Sequence, residues 1–255
     1  MMDKAAIARN FSRYAHLYDR YADIQRLAAG RLMRYLPDAP VKNILEIGCG
    51  TGIYTSYLRE KFKDANLEAL DISDTMVGMA KNRLRDGRVI FRVEDGETPK
   101  LASKFNLITS NAAFQWFEDL NRAVGSYEGL LSEDGMLVFS IFGPRTFKEL
   151  KTALKATFGK EAEISSADFP EKGKIKDMLS SRFKKVAIKE YTIKEKHASL
   201  MHLLRKIKYT GTRGMGFDTK QAWDKASIAE AEESYIRMFG SIEATYQIFF
   251  CKAVK

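Results

Sequence analysis

"VKNILEIGCGTGIYTSYLREKF", residues 41–62, decides how the rest of the chain is read. Val41 to Ile47 reads as a short buried strand. Gly48, Gly50 and Gly52 interrupt it, and Ile53 to Phe62 continues with helical spacing. A strand that turns on glycines into a helix opens a βαβ unit, and its turn lies at the carboxyl edge of a sheet, where nucleotides bind. Glycines remove the Cβ atoms that would keep a ligand away from the backbone. A phosphate-cradling loop needs Lys-Ser or Lys-Thr after the glycines, and neither follows here. A dinucleotide fingerprint has glycines at its first, third and sixth positions. In this chain they fall at the first, third and fifth, and Ile53 holds the sixth. That spacing weakens a hydride-transfer reading without excluding it.

The strand–helix alternation continues. "LEALDIS" (67–73), "RVIFRVEDG" (88–96), "FNLITSNAA" (105–113) and "GMLVFSIFG" (135–143) read as further strands, the last closed by the breaker Gly143-Pro144. "DTMVGMAKNRL" (74–84) and "TFKELKTALKATFG" (146–159) read as helices, "RFKKVAIKEYTIKE" (182–195) as a sixth strand and "ATYQIFFCKAVK" (244–255) as a seventh. Such alternation implies a parallel α/β sheet with helices on both faces. Between strands six and seven lie the helical stretches "SLMHLLRKIKYTG" (199–211) and "TKQAWDKASIAEAEESYIRMF" (219–239), joined through "GTRGMG" (211–216). This excursion is too long for a plain connection and is expected to be an insertion over the active-site mouth. The first forty residues read as helix, with Ile7, Phe11, Tyr14, Tyr18, Tyr21 and Ile24 on an aromatic-rich face. The expected organisation is one domain, 1–255: an N-terminal helical lid (1–40), a Rossmann-like core (41–196 and 241–255) and a helical insertion (197–240).

A length of 255 residues, 45% hydrophobic and 29% charged, suits one large α/β domain with a sizeable core. Cys49 and Cys251 form neither a disulfide framework nor a metal set, which suits a reducing compartment. No stretch has the apolar core of a signal peptide or the roughly 18 uncharged residues of a membrane span, so a cytoplasmic protein without a membrane role is expected. A net charge of +9 attracts polyanions, whether nucleic acid, anionic lipid or an acidic protein. An RNA-binding protein is one rival reading, but no aromatic-basic nucleic-acid motif supports it, and no nucleic-acid partner is expected.

Acidic residues sharpen the nucleotide question. Glu46, just before the glycines, can accept from a cationic amine or anchor the loop. Asp71 ends the second strand, where a carboxylate accepts two ribose hydroxyls. Asp95 follows the third strand and can accept from an adenine amine, while Ile72 and Met76 offer apolar surface to the ring. Gly96 and Asn111 join these candidate cofactor residues. With the loop Glu46 to Gly52, Asp71, Asp95 and a hairpin-like last strand, the chain resembles the class I S-adenosylmethionine (SAM)-dependent methyltransferases. The resemblance implies their seven-stranded sheet, SAM as methyl donor and no metal. It implies that the amino-acid end of SAM lies against Gly48, Gly50 and Gly52, the ribose at Asp71 and the adenine at Asp95.

The acceptor is read elsewhere. Methyl transfer is an in-line displacement that needs the reacting atoms about 3–3.5 Å apart. Adenine and amide N-methyltransferases carry Asn/Asp-Pro-Pro-Tyr/Phe after strand four, and Asn111-Ala112-Ala113-Phe114 lacks both prolines. None of His16, His197 and His202 is an obvious general base, which favours an acceptor already anionic at neutral pH, such as a carboxylate. "FSRYAHLYDRYADIQRLAAGRLM" (11–33), "SNAAFQWFEDLNRAV" (110–124), "FSIFGPRTFKEL" (139–150) and "SLMHLLRKIKYTGTRG" (199–214) closely resemble the malonyl-[acyl-carrier protein] O-methyltransferase family of biotin synthesis. The resemblance is weakest from about 150 to 185, and Asn106 stands where an Asp is usual. It implies a methyl group placed on the free carboxylate of a malonyl thioester carried by a small acidic protein. Arg205, Lys206, Lys208 and Arg213 are the expected docking residues, within a basic cluster that includes Arg182, Lys184, Lys185, Lys194 and Lys196. Arg145, after the Gly143-Pro144 turn, is expected to face the cleft and grip the substrate carboxylate with its planar fork. Phe11, Tyr14, Tyr18 and Gln25 could cover SAM, and Tyr18 and Gln25 match the family. Trp116 is expected to shape the acceptor pocket, with core packing as its other reading. Arg145, Tyr18 and Trp116 form the expected catalytic set, in a monomer. A methyltransferase of another small acceptor, a quinone precursor or a free dicarboxylic acid, is the rival enzyme.

Overall fold

The computed structural model describes residues 3–159, 165–211 and 224–255. Two helices, α1 (Lys4–Tyr21) and α2 (Asp23–Leu32), precede the sheet, where sequence periodicity suggests a continuous helical stretch. The break is at Ala22, whose backbone leaves the helical region (φ −86°, ψ 36°). This bend lets α2 bury Ile24, Ala28, Ala29 and Leu32 while α1 runs across the strand ends with only Ile7 and Ala15 buried.

The core follows as β1 (Asn43–Ile47), α3 (Ile53–Lys61), β2 (Asn66–Asp71), α4 (Asp74–Arg83), β3 (Val89–Val93), β4 (Phe105–Asn111), α5 (Leu120–Leu130), β5 (Leu131–Phe142), α6 (Lys148–Phe158), α7 (Lys172–Ser180) and β6 (Lys185–Lys196). After α8 (Leu200–Tyr209) and α9 (Lys225–Phe239), β7 (Glu243–Val254) closes the chain. The seven strands lie in the order β3-β2-β1-β4-β5-β7-β6. Strands β1 to β5 are mutually parallel, and β7 inserts antiparallel between β5 and β6. The order reverses between β1 and β4, so the crevice beyond their carboxyl ends is the place for a ligand. Arg213 and residues 219–223 of the second inserted stretch lie outside the described residues.

Strand side chains alternate between two apolar layers, as expected for a sheet covered on both faces. Ile44, Leu67, Leu107 and Val138 pack with residues of α2, α3, α4, α6 and α8. Leu45, Leu70, Ile108 and Phe139 pack with Ala123, Val124 and Tyr127 of α5 and with Ile175 and Leu179 of α7. Neither α5 nor α7 is anticipated as a separate element above, although α5 carries a start signal: Asp119 caps it by accepting from Arg122 N at 2.9 Å. β5 begins four residues before the expected 135; Asp134 adopts a left-handed conformation (φ 58°) and the pairing with β4 shifts register between Phe105 and Leu107. Among the described residues no helix is long and apolar enough to cross a membrane.

Candidate active site

The turn after β1 is held by backbone and carboxylate together. Gly48 and Gly50 adopt φ of +73° and +54°, a region that costs other L-residues about 1–2 kcal/mol. Gly48 N and Cys49 N donate to Leu70 O at 2.8 and 2.9 Å, stitching the loop to the end of β2. Gly50 N donates to Asp71 Oδ2 at 2.8 Å, and Ser73 N to Oδ1 at 2.9 Å. Burial pushes the Asp71 carboxyl up, and the N–H groups of Ser73, Gly50 and Ile72 offset part of that shift. Each Asp71 oxygen keeps lone-pair capacity for a ribose hydroxyl. A Cβ on Gly50 would meet nothing within 4 Å, whereas one on Gly48 would lie 2.4 Å from Ala113 Cβ. The space beside Gly50, which lines the cleft, is open, and the space beside Gly48 belongs to the opposite wall.

A cleft of about 730 Å3, its open mouth included, lies over this loop. Asp71, Ile72, Met76, Asp95 and Gly96 line one side; Asn111, Ala112, Ala113, Trp116 and Phe117 line the other. Ile7, Phe11 and Tyr18 of α1 line it as well, together with Lys4. A second lobe of about 330 Å3 shares Tyr18, Gly48, Gly50 and Asn111, and adds Gln25, Cys49 and Tyr54. The cleft thus brings together the expected cofactor residues Gly48, Gly50, Asp71, Ile72, Met76, Asp95, Gly96, Asn111 and Gln25 with Tyr18 and Trp116. Gly52 is the left-handed N-cap of α3 and sets the exit of the loop.

The second lobe has acceptors without donors. Gln25 Oε1 is buried and has no hydrogen-bond partner among the described residues. Both Glu46 oxygens are in the same condition, although Glu46 itself lines neither lobe. Burial pushes the Glu46 carboxyl up to about 8; the nearby Thr55 hydroxyl opposes the shift and Asp71 adds to it. Orphaned acceptors of this kind are costly unless a ligand supplies the donor. A cationic ammonium group suits them, so these residues fit the amino-acid end of SAM.

Other expected residues turn out to be partly committed. Asp95 Oδ2 pairs with Lys4 Nζ of α1 at 2.6 Å, and Lys4 also reaches Glu97 at 2.9 Å. Asn111 donates to Gln25 O at 3.0 Å and accepts from Ser140 Oγ at 2.8 Å, tying α2 to β4 and β5. Burial and the charges of Asp71 and Asp19 push the Tyr18 phenol up, which keeps it a hydrogen-bond donor. Trp116 is both core and wall: it is buried, lines the cleft, and meets Phe11 and Phe169 edge-on at 6.1 and 5.8 Å. Ala112 is left-handed (φ 53°) at this wall, its N–H donating to Ser140 O at 3.0 Å. Phe11 faces the cleft, while Tyr14 meets Tyr209 of α8 edge-on at 5.4 Å. Phe169 and Lys4 were not picked out from sequence; nothing local links either to the strand ends.

Two expectations need correction. Arg145 does not line the cleft: its side chain is 59% exposed and its guanidinium pairs with Glu190 of β6. The antiparallel β6–β7 pair lies alongside the end of β5, and Gln247 Nε2 donates to the same Glu190 oxygen at 2.8 Å. Lys206 is not a docking residue of a free surface. It is 4% exposed, and its Nζ lies 3.2 Å from Asp23 Oδ2 and 2.5 Å from Glu195 Oε1. The reason is helical phase: Leu203 and Ile207 share the buried face of α8, and residue 206 falls on it. Arg205 is exposed, and Lys208 lies 5.2 Å over the Tyr14 ring. The wider basic cluster is also split, because Arg182 pairs with Glu128 of α5 on the other face of the sheet.

Residues 45–139 match the family model described as a methyltransferase domain. The chain is 34% identical over 255 residues to malonyl-[acyl-carrier protein] O-methyltransferase 2 of Ilyobacter polytropus, covering 98% of this chain and 97% of that one. It is 30% identical over 268 residues to the malonyl-[acyl-carrier protein] O-methyltransferase of Bacillus anthracis, covering 100% and 98%. Among solved structures, the YcgJ protein of Bacillus subtilis superposes with a TM-score of 0.63 at 16% identity, covering 90% of this chain and 98% of that one. A Haemonchus contortus phosphoethanolamine N-methyltransferase crystallised with S-adenosylhomocysteine superposes with a TM-score of 0.60 at 16% identity, covering 96% and 57%. These two likenesses establish the fold alone.

Proposed function

The chain belongs to the malonyl-[acyl-carrier protein] O-methyltransferase family, and from that premise we propose how its cleft carries out the family's reaction. The enzyme is a SAM-dependent carboxyl O-methyltransferase that esterifies the free carboxylate of a malonyl group held as a thioester on acyl-carrier protein. The observation that carries the residue assignment is the two-lobed cleft over the glycine loop, with an orphaned Gln25 Oε1 in one lobe and Asp71, Ile72 and Met76 in the other.

When bound, SAM supplies an electrophilic methyl group on a sulfonium. Gln25 and Glu46 accept from the ammonium end, Asp71 accepts from the ribose, and Asp95 takes the adenine amine in competition with Lys4. A malonyl carboxylate has already lost its proton at neutral pH, so no residue has to remove one. Consistent with that, no histidine is among the lining residues. The chain's contribution is alignment and exclusion of water. Trp116 and Phe11 form the apolar wall, and Tyr18 donates a hydrogen bond at the junction of the two lobes. Arg205 and Lys208 meet the acidic carrier, and Lys206 braces α8 against α2 and β6. The proposed setting is the cytoplasm and the proposed state a monomer; both cysteines are free and buried, which supports a reducing compartment.

The test uses labelled SAM with malonyl-carrier protein, malonyl-coenzyme A and free malonate side by side. Efficient transfer to the carrier-bound substrate is expected; transfer to free small acids alone would overturn the proposal.

A further inference from the structure

The glycine loop cannot brace itself with side chains, so what holds its tip matters. Thr51, between Gly50 and Gly52, is 1% exposed, and its hydroxyl donates to Asp19 Oδ1 at 2.6 Å. The other oxygen of Asp19 accepts from Arg83 of α4. Arg83 Nε in turn donates to Thr51 O at 2.8 Å, closing a ring of three residues around the loop tip. Asp19 lies near the end of α1, beside Tyr18. Further along the same helix Ser12 Oγ is 2.8 Å from Ser73 Oγ, and Lys4 reaches Asp95 at 2.6 Å. α1 is thus tied, through one side chain each, to the loops after β1, β2 and β3. Ile7 and Ala15 are buried and Phe11, Tyr14 and Tyr21 pack on neighbouring rings, so these polar ties add direction to an apolar seat.

We propose that Asp19 is a positioning residue for the donor site: it makes the shape of the glycine loop depend on the seating of α1. Ser12 and Lys4 fasten the helix to loops that regular structure already braces, but Asp19 reaches the loop whose backbone faces the ligand. Its carboxylate holds the Thr51 side chain and the Arg83 guanidinium at once, so removing it frees both the tip and the helix end. This rests on the reading of the cleft as the SAM site.

The experiment measures S-adenosylhomocysteine affinity by calorimetry, and KM for SAM against kcat, in the parent protein, Asp19→Ala, Asp19→Asn, Thr51→Val and the Asp19→Ala/Thr51→Val double variant. A hydrogen bond to a charged group, discounted for partial exposure, corresponds to about a tenfold change in an equilibrium constant. Asp19→Ala is expected to raise Kd and KM for the donor by about that factor, with kcat at saturating SAM nearly unchanged. Asp19→Asn keeps an acceptor for the Thr51 hydroxyl and should recover part of the loss. The double variant should bind no worse than Asp19→Ala, because both changes break one tie. Folding of each variant is checked by circular dichroism. Parent-like affinity in a folded Asp19→Ala, additive losses in the double variant, or a fall in kcat with KM unchanged would overturn the proposal. Failure of the parent to bind S-adenosylhomocysteine would instead overturn the reading of the cleft.

Discussion

Gly50→Ala and Gly48→Ala add the same methyl group two residues apart, and the structure predicts different failures. At Gly50 the new Cβ projects into open cleft, so the fold bears only the left-handed backbone penalty, about 1–2 kcal/mol. For a chain of this size that is a loss of roughly 2–8 °C in Tm. The ligand bears the rest. A methyl group forced into its space costs about 1–3 kcal/mol, or roughly 5- to 150-fold in Kd for SAM. At Gly48 the added Cβ would stand 2.4 Å from Ala113 Cβ, far inside the usual ~3.5–4.0 Å carbon contact. Relief requires moving the Ala112-Ala113 turn or the loop, adding about 1–3 kcal/mol to the backbone penalty. Gly48→Ala should therefore lose more stability than Gly50→Ala, and cofactor affinity with it. Differential scanning calorimetry and titration calorimetry with S-adenosylhomocysteine separate the two. A folded Gly50→Ala that binds within twofold of the parent, or a Gly48→Ala as stable as Gly50→Ala, would refute the assignment of the two spaces.

Glu46 titrates near 8 in the folded protein against about 4.5 unfolded, so its neutral form stabilises the ligand-free fold at pH 4–5 and that contribution declines as pH rises through about 8. Binding of the cationic cofactor should ionise it, releasing up to about one proton at pH 7; calorimetry in buffers of different ionisation enthalpy reads this release, and Glu46→Gln should abolish it. Lys206→Ala should destabilise by about 1–3 kcal/mol, because Glu195 loses its partner at 2.5 Å while the exposed Asp23 keeps water and Arg26, whereas Arg205→Glu should leave urea unfolding nearly unchanged and raise KM for the carrier-bound substrate but not for a small thioester. Arg145→Ala removes a pair that lies outside the cleft, so the KM for the malonyl substrate and the affinity for SAM should both stay close to those of the parent; a raised substrate KM would refute that placement.

Much of the donor site was legible in the chain itself. A βα unit turning on Gly48, Gly50 and Gly52 is a local event: strand period, glycine torsions and helix period lie within twenty residues, and Asp71 and Asp95 stand at the ends of the next two strands. Tertiary packing only brings those strand ends side by side, as their parallel pairing requires. The second inserted stretch was legible in type, and Lys206 was partly so. Its place beside the Leu200, Leu203 and Ile207 stripe marks a buried face, a signal that the run of basic residues obscured. No local pattern decides the fate of Arg145, because its partner Glu190 lies on a strand brought alongside β5 by the antiparallel β7. The same holds for Asp19, Thr51 and Arg83, three residues from separate elements that meet at the tip of the glycine loop. Sequence by itself determined the backbone conformations, the faces of the elements and the donor chemistry, since these depend on neighbours along the chain. Only the tertiary structure decided which charges are spent on one another, because an ion pair needs two side chains within about 4 Å and the chain order says nothing of that distance.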